Sequence, residues 1–454
     1  MRDIRSRSPR NDMEARLAAE HPDEHLRRRD FLERTARVIG ASATVAAALG
    51  PDALVAHASQ AQARAARLPS PCNMPVDTFV ILMMENRSFD HYLGWLPGAD
   101  GRQAGLSYVD ANGVSQATHP LAPDFQGCGH SIPGHLWNQG RVQFAGGRCD
   151  GFLASGSGND TYAIGYYRQR DLPFTPHLVR EFTTCDRWFA SLLASTNPNR
   201  AYAHAAQSYG QKYLLAIPGD GAPQFPTPPG FPANTNIEAA LARRGQRGIT
   251  FYSDVNYAAM WGPRGERRSA SVSDFFRRCG AGKLPALSFV DPRLNSFAEA
   301  TGTSNDDHTY GDVRTAEAFI SDVVHAFIHS PQWKRGVLFV VFDEWGGFFD
   351  HVRPPSVPDI RQSRDLDNDF GQMGFRVPAI VISPYSRRRR IIHTRFGHES
   401  ILKLVEYRYG LRPLTRRDAK ANNAGLALDF HQKPRKPPSL PVPAHLISQA
   451  CPAR

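Results

Sequence analysis

Residues 77–86 read Asp77-Thr78-Phe79-Val80-Ile81-Leu82-Met83-Met84-Glu85-Asn86. The run from Phe79 to Met84 has no polar face. That predicts a strand buried on both sides, the environment of a parallel sheet. A carboxylate and an amide follow at its end. The same grammar recurs in Val337-Leu338-Phe339-Val340-Val341-Phe342, followed by Asp343-Glu344. Further, mostly apolar runs are 249–252, 287–290 and 378–382. Amphipathic segments lie between them. Residues 236–244 stop at Gly245, 314–329 align Ala316, Phe319, Val323 and Phe327, and 398–408 align Ile401, Leu404 and Val405. Strands alternating with helices predict an α/β sandwich. Residues 100–170 and 253–315 are Gly-, Asn- and Pro-rich and are expected to form loops over the sheet's carboxyl edge.

The 454 residues are 41% apolar and 21% charged, enough for a large core. No run approaches the length of a membrane-spanning helix. Lys and Arg total 54 against 43 Asp and Glu, a net charge of +11. Such an excess suits nucleic acid, an anionic surface or an anionic substrate. No aromatic platform or groove-reading helix is interleaved with the charge, which argues against nucleic acid. The run Arg387-Arg388-Arg389-Arg390 reads as a solvated surface, with an anionic membrane contact as the sharper alternative. None of the six cysteines forms a C-x-x-C pair, which excludes zinc-ribbon and thioredoxin-type sites. In an oxidising compartment they can form up to three disulfides, in a pairing the sequence leaves open, or remain buried thiols.

Arg28-Arg29-Asp30-Phe31-Leu32 precedes a weakly apolar run, 38–50, and then Ala61-Gln62-Ala63. Paired arginines, a short apolar run and a small-x-small cleavage pattern in this order predict a twin-arginine export leader over residues 1–63. Residues 64–432 then form one domain, and 433–454 a Pro-rich tail that wraps extended or stays mobile. The expected location is periplasmic or secreted. The leader holds 10 Arg and 9 acidic residues, so the basic excess belongs to the remainder.

In open α/β sheets, ligands bind at the carboxyl ends of strands. Glu85, Asn86, Asp343 and Glu344 sit at two such ends. Converging carboxylates titrate upward, and a hard divalent cation relieves them. All-oxygen ligands suit Mg, Ca or Mn better than Zn by softness. The plainer reading is that each pair merely ends a strand. Ser195-Thr196-Asn197-Pro198-Asn199-Arg200 precedes a helical stretch. A hydroxyl at a helix N-terminus is well placed for a phosphate, although an ordinary cap has the same sequence.

Met84-Glu85-Asn86-Arg87-Ser88-Phe89-Asp90-His91-Tyr92 resembles the opening signature of the bacterial phosphatidylcholine-hydrolysing phospholipase C and acid phosphatase family. The likeness continues through Gly129-His130-Ser131, His135, Asp150-Gly151-Phe152, Gly165-Tyr166-Tyr167 and Thr196-Asn197-Pro198-Asn199-Arg200. It extends through Asp307-His308, the block Phe342 to Val352, and Gly374-Phe375-Arg376-Val377-Pro378. The resemblance implies an alkaline-phosphatase-like three-layer α/β sandwich with a mostly parallel sheet. It implies Thr196 as nucleophile and His130 as the histidine that protonates or orients. Glu85, Asn86, Asp343, Glu344 and the Thr196 oxygen would hold one divalent ion. His308, His398, His135 and Asp307 would meet the substrate. Phe396-Gly397-His398-Glu399-Ser400 departs from the family's Phe-Asp-His-Thr-Ser. The expected activity is phospholipase C-type hydrolysis of phosphatidylcholine through a phosphothreonine. The alternatives are a periplasmic acid phosphatase acting on monoesters and a non-catalytic anion-binding protein.

Overall fold

The computed structural model describes residues 9–40, 51–65, 68–156, 160–213 and 231–451. Its centre is an eight-stranded sheet. In chain order the strands are β1 (Thr78–Met84), β2 (Thr183–Cys185), β3 (Gly248–Tyr252), β4 (Ser269–Ser271), β5 (Leu287–Val290), β6 (Gly336–Phe342), β7 (Ala379–Ile382) and β8 (Arg390–Ile392). Across the sheet the order is β8-β2-β7-β6-β1-β5-β3-β4. Every residue of β1, β5, β6 and β7 is buried. Both faces of the sheet centre are therefore covered, which makes the architecture a three-layer α/β sandwich.

The sheet is parallel except at β7, which runs against both β6 and β2. The apolar run of β7 looks like its parallel neighbours because burial, not direction, sets composition. Strands β2, β4 and β8 were not visible in the sequence pattern. Each has only three residues, and Arg390 of the basic run opens β8. That run is partly paired, with Arg388 to Glu181 at 2.8 Å and Arg387 to Asp429.

The long helix Val313–Ile328 buries Ala316, Phe319, Val323 and Phe327 against the sheet, as the spacing predicts. Helix Glu399–Tyr409 buries Ile401, Leu404 and Val405 and packs on helix Thr196–Ala205. Helix Ile237–Ala242 is followed by Gly245 at φ +69°.

The proposed leader contributes helices Pro9–Glu20, Pro22–Val38 and Pro51–Ala65. Most of its apolar run, 41–50, lies outside the described residues. Gln62 accepts from the His393 N–H at 2.8 Å and donates to the Ile391 carbonyl at 3.1 Å, beside the edge strand β8. Among the described residues no helix is long and apolar enough to cross a membrane.

Cys128 and Cys451 form a disulfide, while Cys72, Cys149, Cys185 and Cys279 are free. The tail is extended and tied down. Trp333 donates to the Arg435 carbonyl at 3.0 Å, Gln126 and Gln449 bond each other, and Cys451 N–H meets the Glu299 carbonyl at 3.2 Å.

Candidate active site

Three adjacent strands end in carboxylates. Met84 pairs with Phe342, so Glu85 and Asp343 emerge side by side from β1 and β6. Leu82 pairs with Val290, so Asp291 follows one step away on β5. Asp306 joins from a loop, accepting from the Glu85 N–H at 3.1 Å and the His308 N–H at 2.8 Å. With Glu344, five buried carboxyl groups meet here.

Burial disfavours their charged forms, and their neighbours add to it. Glu85 is pushed well above the carboxylate range by burial, Asp343 and Asp306. Glu344 is raised likewise by burial and Asp343. Burial carries Asp306 up to about 7. Buried Arg200 is the resident counter-charge. Its Nε donates to Asp343 at 3.0 Å and Nη1 to Asp291 at 2.6 Å, with Nη2 3.6 Å from Glu85. Its guanidinium lies 4.2 Å over the Tyr257 ring, whose hydroxyl donates to Glu85 at 3.2 Å.

Arg200 belongs to the helix that Thr196 begins, one turn further on. The ion pairs on Arg200 therefore anchor that N-terminus to the strand ends. Asn199 rebuilds the approach. Its Oδ1 accepts from the Leu192 N–H at 2.8 Å, and its Nδ2 donates to the Ala194 and Ser195 carbonyls at 2.6 and 3.1 Å. Each residue of Asn199-Arg200 thus positions Thr196, which is 7% exposed.

Asn86 has φ +62°, a conformation rare outside glycine. Its N–H bonds Asp343 at 3.3 Å. Gly346, at positive φ, passes directly over it, and Gly347, also at positive φ, abuts the Pro133–Gly134 backbone. A Cβ on Gly346 would lie 2.0 Å from the Asn86 carbonyl oxygen. These two close approaches explain the two glycines after Trp345.

The donor set fits a hard cation. Asn86 Oδ1 and Glu344 Oε1 are buried without a hydrogen-bond partner. Buried polar atoms are rarely left unpaired, and oxygen donors beside surplus negative charge suit a divalent ion. A second grouping has atoms within 4.8 Å of one another: Asp90, Asp350 and His351. Arg376 fills it, donating to Asp350 at 2.9 Å and Asp90 at 3.0 Å, while His351 bonds Asp90 at 2.5 Å. Its charges are compensated internally. Two places can thus hold a metal by ligand type, and the unpaired oxygens mark the first.

The histidines separate by environment. His135 donates from Nδ1 to the Pro133 carbonyl at 2.8 Å, which turns its Nε2 toward Asn86 Nδ2 at 3.5 Å and Glu344 at 4.0 Å. Burial, with His308, lowers it to about 4, so the ring is neutral. His308 stands 6.3 Å away, centroid to centroid. Burial opposes its charge, but Glu299 at 2.5 Å outweighs that and raises it above the ordinary value. His130 has partners of its own: Nδ1 bonds Asp160 at 2.9 Å and Nε2 sits 3.3 Å from Asp124. His398 is buried behind the strand end, with Nε2 at the Asp343 carbonyl, 2.8 Å, and Nδ1 facing Trp188. Both carboxylate oxygens of buried Asp307 lack a partner, while its carbonyl receives Arg87 Nε at 2.7 Å.

The phosphoesterase family model matches residues 76–412, a span that holds all eight strands and every site residue above. The chain belongs to this family. It is a hydrolase acting on phosphoric ester bonds. Non-specific phospholipase C3 of Arabidopsis thaliana is 31% identical over 388 residues, covering 76% of this chain and 72% of the relative. Phospholipase C B of Mycobacterium tuberculosis is 29% identical over 458, covering 87% and 83%. A crystal structure from Vibrio parahaemolyticus in the alkaline phosphatase superfamily covers 78% of this chain and 71% of its own, at 10% identity and TM-score 0.34. That likeness is too distant to carry an argument, and the architecture rests on the sheet itself.

Within this phosphoesterase site, sequence reasoning missed Asp291, Asp306, Arg200 as counter-charge, and Glu299. Asp291 was within reach, because it follows the buried run 287–290 just as Asp343 follows 336–342. Asp306 and Glu299 lie on irregular segments and offer no periodic signal. Four large aromatic side chains of this region are interior. Trp137, Trp188, Trp345 and Tyr167 are all buried, each with its polar atom engaged.

Proposed function

We propose that the chain is a phospholipase C-type phosphodiesterase that cleaves phosphatidylcholine to diacylglycerol and phosphocholine through a phosphothreonine at Thr196. One observation carries this: unpaired Asn86 Oδ1 and Glu344 Oε1 in a carboxylate cluster that Arg200 ties to the Thr196 helix. The names of the relatives favour a phospholipid over a simple monoester.

Glu85, Asn86, Asp343, Glu344 and Thr196 would hold one divalent ion, which would neutralise charge on the phosphoryl oxygens. The remaining work belongs to the chain. Thr196 Oγ1 forms a bond to phosphorus while the bond to the diacylglycerol oxygen breaks. The helix N-terminus faces the phosphoryl group. Neutral His135 is placed to accept the Thr196 hydroxyl proton in the first step and to return it to Thr196 Oγ1 in the second. His308, charged through Glu299, contacts the phosphate and gives the leaving oxygen its proton. This assigns to His308 the acid role expected of His130, whose nitrogens Asp160 and Asp124 already engage. Asp307, next to His308 in the chain and fully buried, receives Arg87 at its carbonyl, and His398 steadies the Asp343 backbone. Water then gives a proton to the now neutral His308 and adds to phosphorus, the bond to Thr196 Oγ1 breaks as His135 returns its proton to that oxygen, and phosphocholine leaves.

Residues 1–63 act in this proposal as a twin-arginine leader, 64–432 as the catalytic domain and 433–454 as its tail, giving a periplasmic or secreted enzyme. The test compares hydrolysis of phosphatidylcholine with that of an aryl phosphate monoester. At least tenfold higher kcat/KM on the lipid is expected. A strong preference for the monoester overturns the reading and returns the acid phosphatase alternative.

A further inference from the structure

Three segments around the His135–His308 pair are fastened to one another. The first is 126–136, which carries His135. The second is 296–302, whose Glu299 holds His308. The third is the tail end, 446–451. The Cys128–Cys451 disulfide joins the first to the third. Gln126 and Gln449 bond in both directions, at 2.6 and 3.1 Å. Cys451 N–H meets the Glu299 carbonyl, and Gly302 packs against the Ser448 carbonyl. Tyr310 donates to the His130 carbonyl at 3.1 Å.

Each segment also exposes large apolar side chains: Ile132 39% and Leu136 42%, Phe297 72%, and Leu446 42% and Ile447 96%. Single exposed apolar residues are ordinary on soluble proteins. Here five occur on three cross-linked segments that adjoin the same two histidines. Exposed Arg293 adds positive charge to the same rim.

We propose that this crest is an interfacial docking surface for a phospholipid bilayer, with Phe297 and Ile447 entering below the headgroups. The proposal rests on the lipid-substrate reading and deepens it. A diacyl lipid keeps its chains in the bilayer while its phosphate reaches the site. An apolar rim directly around that site shortens the distance the lipid must rise, and buried apolar area drives the contact. The disulfide holds Ile447 in place, which gives the extended tail a purpose beyond covering the domain.

The test uses sucrose-loaded phosphatidylcholine vesicles and the double variant Phe297→Asp/Ile447→Asp, with chelator present so that binding is read without turnover. Wild-type protein should sediment with the vesicles, and the double variant should bind at least tenfold more weakly. Turnover of water-soluble p-nitrophenylphosphorylcholine by both proteins, with divalent ion restored, should agree within twofold, which shows the variant is folded. Failure of the wild-type protein to sediment overturns the proposal, as does vesicle binding by a folded double variant within twofold of wild type. A protein that docks yet hydrolyses only monoesters would sink the functional reading and leave the docking surface standing.

Discussion

Arg200→Met is the sharpest probe of the carboxylate cluster. The guanidinium is 1% exposed and pairs with Asp343 and Asp291 at 3.0 and 2.6 Å. Removing it leaves two buried carboxylates without their partner. Breaking a buried pair in this way costs about 3–5 kcal/mol. Unfolding entropy of about 2.1 cal/mol/K per residue over a domain on the order of 340 residues is about 0.7 kcal/mol/K. A loss of about 4 kcal/mol therefore lowers Tm by roughly 6 °C, read by calorimetry in chelator. Adding Asp291→Asn should recover part of that loss, because it removes one orphaned charge. Asp343 is also freed to turn, so turnover should fall on the order of 10–100-fold. If Arg200→Met melts within 1 °C of wild type, or if Asp291→Asn recovers nothing in its background, Arg200 is not the counter-charge argued above.

Thr196→Ala should lose at least about 10³-fold in kcat while still binding a divalent ion by calorimetry, and activity above a few per cent would remove Thr196 as nucleophile. Chelation should change the pH dependence of stability. Burial raises Asp306 to about 7 and lifts Glu85 and Glu344 as well, so their folded values exceed their unfolded ones. The unfolded chain then loses protons first, and the chelated protein should lose stability as pH rises from about 4 to 7. A chelated Tm that climbs across that window contradicts the cluster. Glu299→Gln should let His308 fall toward its ordinary value, because the carboxylate that raises it is gone. The alkaline limb of kcat/KM should therefore move to lower pH, and an unmoved limb would show that His308 is not the proton donor.

The strands that place the site were legible because burial on both faces leaves an uninterrupted apolar run, as in 79–84 and 337–342. The direction of β7 was not legible, because an antiparallel strand with both faces covered needs the same side chains. Three-residue β2, β4 and β8 are too short to show a period. Glu85, Asn86, Asp343 and Glu344 were found by position at strand ends, and the structure brings them together with raised carboxyl groups, as converging charges demand. The roles of His130 and His135 depended on loop geometry, where five residues of separation carry no directional information. Only the Pro133 carbonyl and the Asp160 and Asp124 carboxylates distinguish the two rings.

The basic excess also takes on a different meaning. Four fully buried arginines serve internal partners. Arg87 supports the Asp307 carbonyl, Arg200 joins Asp343 and Asp291, Arg376 joins Asp350 and Asp90, and Arg417 joins Glu399 and Asp359. Of the run 387–390, two side chains pair with Asp429 and Glu181. Net charge read from composition treats all of these as surface available to an anionic partner. In this molecule a buried arginine instead supplies positive charge to carboxylates gathered at strand ends. Arg200, held among Glu85, Asp291 and Asp343, offsets part of the cluster's negative charge from within the chain.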